Sequence, residues 1–205
     1  VDELGIDLDR ILCVSGIGCS AWIPSPFFNS DTLHVTHGRA IAFATGAKIF
    51  NDKLTLVVFT GDGDGAGIGG NHLIHAARRN INITTLLVNN LSYAMTGGQL
   101  APTTLFGMRT VTSPYGNPEG PFDLCKLVKS AGATYVARWS TYHIRELRGS
   151  IKNALTNRGF SFIEVLSQCP TYQRGMLNLE GSVQYEVPSK ILDVFRESTY
   201  VRQRP

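Results

Sequence analysis

The chain has 205 residues, 43% hydrophobic and 17% charged, with 21 glycines, a composition that suits one large globular domain and excludes a disordered or fibrous chain. The formal charge of +3 is scattered and gives no footprint for nucleic acid; the basic runs at 78–79 and 145–152 read as solvated helix faces. No stretch approaches the roughly 18 apolar residues of a membrane span, and the acidic start "VDELGIDLDR" has no signal core, so the protein is expected to be soluble and cytoplasmic.

In chain order, the first short apolar run, residues 11–14, reads as a strand and is followed by an irregular segment over 16–31. A helix is predicted over 38–50 and a strand over 54–59, which feeds the glycine-rich turn "GDGDGAGIGG" at 61–70. Next come a helix over 68–80, a strand over 83–88 and a long Gly, Thr, Pro and Asn-rich segment over 89–121. Helices over 122–131 and 143–157 then alternate with strands over 134–138 and 160–166. The strands are β-rich and mostly non-alternating, as expected of strands buried on both faces. The class is therefore α/β, a parallel sheet flanked by helices on both faces, forming a single domain over 1–205. A helix over 189–196 in the tail 177–205 is expected to dock on a neighbour. The chain begins without methionine, so its N-terminus is expected to be incomplete.

The glycine turn poses a chemical question. Gly65, Gly67 and Gly70 satisfy G-x-G-x-x-G between a strand and a helix, but a dinucleotide site needs an acidic residue at the end of the next strand, where Asn89 and Asn90 stand. No Lys-Ser or Lys-Thr closes a P-loop either. Asp62 and Asp64 also oppose a bare phosphate, since a carboxylate about 4 Å from a phosphate charge costs roughly 4 kcal/mol at an effective dielectric near 20. A bridging cation reverses that sign. Mg²⁺ takes oxygen ligands in octahedral geometry and is commonly shared between one or two protein groups and substrate phosphates. The loop is therefore expected to bind a metal diphosphate.

"GDG" at 61–63, then 25 residues, then "NN" at 89–90 resembles the signature of thiamine diphosphate enzymes. With "CVSGIGCS" (13–20), "HVTHGRAIAFATG" (34–46), "NNLSYAMTGGQLAPTT" (89–104) and "GFSFIEVLSQCPTY" (159–172), the chain resembles the β subunit of 2-oxoacid:ferredoxin oxidoreductases, nearest to their 2-oxoglutarate members. The resemblance implies the thiamine diphosphate-binding fold. It implies Mg²⁺ ligands at Asp62, Asn90 and the carbonyl of Ser92, and a diphosphate surrounded by Gly61, Gly63, Asp64 and Thr96. It places Gly18, Cys19 and Ser20 in a turn near the cofactor and His37 near the reacting centre; the plainer alternative for His37 is a helix-start histidine bonded to backbone. Gly97 in the segment 96–104 would leave space for substrate.

The implied activity is oxidative decarboxylation of a 2-oxoacid to its acyl-CoA, with electrons passed to ferredoxin; 2-oxoglutarate is favoured over pyruvate or branched-chain acids. The resemblance also implies an α subunit that supplies a glutamate to the cofactor, further small subunits, and inactivity of the chain alone. Cys19 and Cys169 resemble two ligands of a 4Fe-4S cluster. The accompanying C-x-x-C pair is absent; either its cysteines lie upstream of residue 1, the favoured reading, or this subunit has lost its cluster. Cys13 and Cys125 read as core residues, and His72 and His75 as helix residues packed against the sheet. A nicotinamide-dependent oxidoreductase and a non-catalytic assembly subunit stay as alternatives.

Overall fold

A computed structural model describes residues 1–172 and 202–203. In chain order the elements are β1 (Ile11–Ser15), α1 (Pro24–Phe27), β2 (Asp31–His34), α2 (Ala40–Phe50), β3 (Thr55–Gly61), α3 (Gly70–Arg79) and β4 (Thr84–Asn89). They continue with the short β5 (Ser92–Tyr93) and β6 (Gln99–Leu100), then α4 (Leu124–Ala131), β7 (Tyr135–Ser140), α5 (Ile144–Thr156), β8 (Ser161–Leu166) and β9 (Arg202–Gln203). The main sheet runs β2-β1-β3-β4-β8-β7-β9, parallel throughout except for β9 against β7. The tail helix predicted over 189–196 lies outside the described residues.

The central strands bury both faces because alternate residues have apolar partners on each side. Leu56 and Val58 of β3, with Leu87 and Phe162, pack under α2, α3 and α4. Val57 and Phe59, with Leu86 and Ile163, face α5 through Ala154, Leu147 and Ile151. Each fully buried side chain of this size contributes roughly 1.5–3 kcal/mol. One face thus carries three helices. The other, among the described residues, carries α5 and the residues flanking α1, beside an apolar groove of about 480 Å³ along β1, β3 and β4.

Local chemistry sets the helix ends. Asp123 caps α4 by accepting from the Lys126 amide, and Gly132 ends it at φ 121°. Asn80 closes α3 in the left-handed region, and its Oδ1 accepts from the Phe160 amide at 2.7 Å, tying the helix end to β8.

Three features differ from the sequence expectation. The segment 16–31 ends in an edge strand, β2, whose "DTLH" has no apolar run because the strand is mostly exposed. The helix expected from residue 68 starts at Gly70, after a π-helical turn over Gly63–Ile68 closed by the Gly69 amide on the Asp64 carbonyl. The segment 89–121 contains the β5–β6 hairpin. In addition, His75 does not pack on the sheet, while His72 is half-buried. Leu73, Ala76 and Ala77 take that face, while His75 is exposed and accepts from Arg78 Nε.

Candidate functional site

Parallel pairing sets Gly61 beside Val88, so the residues that follow β3 and β4 emerge side by side at the carboxyl edge of the sheet. Ligands bind at this edge in open α/β sheets. The turn after β1 and the start of β5 close around it, forming a cleft of about 170 Å³. Gly18, Cys19, Ser20, His37, Gly61, Asp62, Gly63, Asp64, Asn90, Ser92 and Thr96, from separate parts of the chain, all line this one cleft.

Asp62 is 2% exposed, and Thr103 Oγ1 donates to its Oδ2 at 2.5 Å. Burial pushes its carboxyl up from 3.8 to about 7, against the opposing hydrogen bonds from Thr103 and the Gly63 amide. One end of the Asn90 amide lies 2.7 Å from the Ser92 carbonyl oxygen and 3.3 Å from Asp62 Oδ1. If nitrogen occupies that end, it donates to both. If oxygen occupies it, it accepts from the Ser92 amide at 3.4 Å and meets two further acceptors, an arrangement that a cation between them would stabilise. Cis ligands of an octahedral Mg²⁺ are about 2.9 Å apart, which falls between the two spacings. The hydroxyls of Ser20 and Ser92 are buried with no hydrogen-bond partner, as anion-facing donors would be before an anion arrives.

Asp64 lines the cleft and is also bonded to several loops of the protein. Its Oδ1 accepts from the Gly38 amide at 2.7 Å, the Ile17 amide at 3.3 Å and His37 Nδ1 at 2.7 Å, while Oδ2 accepts from Thr60 Oγ1 at 2.6 Å. The carboxylate ties the loops after β1 and before α2 to the π-helical turn, with Oδ1 accepting three of the four bonds. Gly16 is required here, since a Cβ would overlap that carboxylate. Of the two aspartates, Asp62 is the one beside the Asn90 amide.

His37 is held by Asp64 and sits edge-on to Tyr93, with ring centroids 6.1 Å apart. It is bonded to a carboxylate rather than to backbone. Thr96 Oγ1 donates to Gln99 Oε1 at 2.7 Å in the turn between β5 and β6. Two residues escaped the sequence expectation. Tyr93 lies against Gly63 and Gly67, where any side chain would collide with its ring, and Thr103 bonds Asp62. The paired glycines were the available sign of a flat neighbour, and the hydroxyl run "PTT" at 102–104 was the sign of a donor.

Cys19 is exposed at the cleft, and burial, the nearby Cys169 and Asp62 all raise its thiol. Cys13 bonds Ser30 within the sheet and Cys125 is buried on α4. Among the described residues no three His, Cys, Asp or Glu side chains gather as a metal site. Nor is any described helix long and apolar enough to cross a membrane.

Residues 16–165 match the family described as thiamine pyrophosphate enzyme, C-terminal TPP binding domain. The chain belongs to this family. The matched span includes Asp62, Asn90 and Ser92 and leaves Cys169 outside it. This TPP-binding domain is 62% identical over 172 residues to 2-oxoglutarate synthase subunit KorB of Methanothermobacter thermautotrophicus, covering 84% of the chain and 60% of the relative. It is 40% identical to the 2-oxoacid:ferredoxin oxidoreductase subunit beta of Saccharolobus solfataricus, covering 84% and 57%. A solved structure of 2-oxoglutarate:ferredoxin oxidoreductase from Magnetococcus marinus, with 2-oxoglutarate, coenzyme A and succinyl-CoA bound, superposes with a TM-score of 0.80 at 43% identity, covering 83% of this chain and 58% of that one. The chain thus spans about three-fifths of the length of these relatives.

Proposed function

We propose that this domain holds Mg²⁺-thiamine diphosphate and serves as the β subunit of a CoA-dependent 2-oxoacid:ferredoxin oxidoreductase, with 2-oxoglutarate the favoured substrate. The observation that carries the reading is the convergence of the Asp62 carboxylate, the Asn90 amide and the Ser92 carbonyl in a cleft with two partnerless buried hydroxyls. Asp62, Asn90 and Ser92 would hold the cation. Ser20, Gly61 and Gly63 would meet the diphosphate, the glycines by bringing backbone within hydrogen-bond reach. When bound, thiamine diphosphate supplies the nucleophilic carbon and electron sink that let a 2-oxoacid lose carbon dioxide. His37, oriented through Nδ1 by Asp64, would offer its other nitrogen at the cleft.

Among the described residues no glutamate lines the cleft, and Glu164 is bonded to Asn89 and Arg138, so the carboxyl for the cofactor's aminopyrimidine would come from an α partner. Cys19 and Cys169 would supply two ligands of a 4Fe-4S cluster, with the others from outside the described residues. Resemblance to 2-oxoglutarate enzymes at up to 62% identity supports the substrate choice. The test is anaerobic assembly with the partner subunit, analysis of bound Mg²⁺ and thiamine diphosphate, and assay against a panel of 2-oxoacids. Both ligands should bind together, and Asp62→Ala and Asn90→Ala should abolish both. Thiamine diphosphate binding that ignores Mg²⁺ and Asn90 would overturn the reading.

A further inference from the structure

A buried polar chain runs from the turn after β4 to the N-terminus of α4 and is not used by the site described above. It begins at Leu91, fully buried at φ 65°, a left-handed conformation uncommon for a non-glycine residue and an outlier for a bulky one. The Leu91 amide donates to Asn89 Oδ1 at 2.9 Å, and its carbonyl accepts from Thr104 Oγ1 at 2.6 Å. Asn89 Nδ2 donates to Glu164 Oε1 at 2.7 Å, and Arg138 Nε donates to Glu164 Oε2 at 2.7 Å. Arg138 also donates to Asp123, the residue that caps α4. Asn89, Arg138 and Glu164 are each at most 2% exposed.

Stability alone is a weak reason for such a chain, because a buried ion pair is often no better than apolar side chains of the same volume. Geometry gives a better one. Glu164 stands in register with Leu87 of β4 and Arg138 of β7, so its carboxylate is fixed by the sheet itself. A carboxylate at one end of the Asn89 amide accepts only the NH₂ end, which turns Oδ1 toward the Leu91 amide. That bond, with the Thr104 bond, holds Leu91 left-handed, and Leu91 separates Asn90 from Ser92.

We propose that Glu164, fixed by Arg138, is a positioning residue for the cation site, acting through Asn89 on the turn that presents Asn90 and the Ser92 carbonyl. This rests on the proposed function. Without the relay, Leu91 relaxes toward ordinary backbone angles and the Ser92 carbonyl leaves the Asp62 side of the cleft. Outer partners of metal ligands typically govern affinity in this way.

The test uses the full chain assembled with its partner subunit, titrated with Mg²⁺ at fixed thiamine diphosphate in a calorimeter. Asn89→Ala cuts the relay while leaving the Glu164–Arg138 pair intact, and Glu164→Gln removes the charge that orients Asn89. Each is expected to weaken Mg²⁺ binding by about 10-fold to 100-fold, with thiamine diphosphate affinity at saturating Mg²⁺ close to wild type. Ile151→Ala, on the opposite sheet face, should lower the melting temperature without changing Mg²⁺ affinity. A folded Asn89→Ala complex with wild-type Mg²⁺ affinity would overturn the inference, and it decides alone if Glu164→Gln does not assemble. Metal-independent cofactor binding by the wild type would instead defeat the proposed function, and the relay with it.

Discussion

Asp62→Asn should stabilise the metal-free chain while removing its response to metal. The Asp62 carboxyl is pushed up from 3.8 to about 7, with burial as the leading cause. For an acid whose folded pKa is raised, the native state carries no penalty below the unfolded pKa. The penalty grows as pH rises through that interval and is complete above the folded value. A shift of about three units corresponds to ~4 kcal/mol above pH 7, as an order of magnitude. Asparagine keeps an oxygen to accept from Thr103 but cannot ionise. Urea unfolding in EDTA should therefore find Asp62→Asn more stable than wild type at pH 8 by a few kcal/mol, with the gap narrowing at pH 5 and closing near pH 4. Mg²⁺ with thiamine diphosphate should raise the wild-type melting temperature at pH 8 and leave the variant unmoved. A variant that is neutral or destabilised at pH 8, with no dependence on pH, would refute the account of Asp62 as a carboxylate held in reserve for a cation.

The neighbouring aspartate should behave oppositely: Asp64→Ala leaves the Gly38 and Ile17 amides and the Thr60 hydroxyl without their acceptor, at about 1–3 kcal/mol for each group left buried and unpaired. Its melting temperature should fall with or without Mg²⁺. Gly63→Ala drives a methyl into the Tyr93 ring and should cost about 1–3 kcal/mol by overpacking, with loss of cofactor binding; adding Tyr93→Ala should recover stability in a double-mutant cycle. Cys19→Ser and Cys169→Ser should each lower iron content and the cluster's electron paramagnetic resonance signal after anaerobic purification, whereas Cys13→Ser should not.

Much of the site was legible because its ligands are fixed by strand ends. The spacing from Gly61 to Asn90 covers one helix and one strand, and parallel pairing of β3 with β4 returns the chain to the same edge. The edge strand β2 was not legible, because "DTLH" is mostly exposed and has no apolar period. The bonds of Asp64 were not legible for a different reason: sequence distance cannot show that amides from positions 17 and 38 meet one carboxylate. Thr103 and Tyr93 lie in a segment without periodicity, where residue type gives no direction.

The sequence by itself determined the class of fold, the apolar strands that bury both faces, and a set of oxygen-bearing residues suited to a hard cation beside a phosphate. Composition and period carry that much because they reflect local propensity and burial. Only the tertiary structure decided which aspartate meets Asn90 and which holds the loops together, since the two differ by the partners that other parts of the chain bring to them. It likewise decided that Leu91 is held left-handed by a charge on β8, because hydrogen bonds between residues more than 70 positions apart exist only after the sheet has formed.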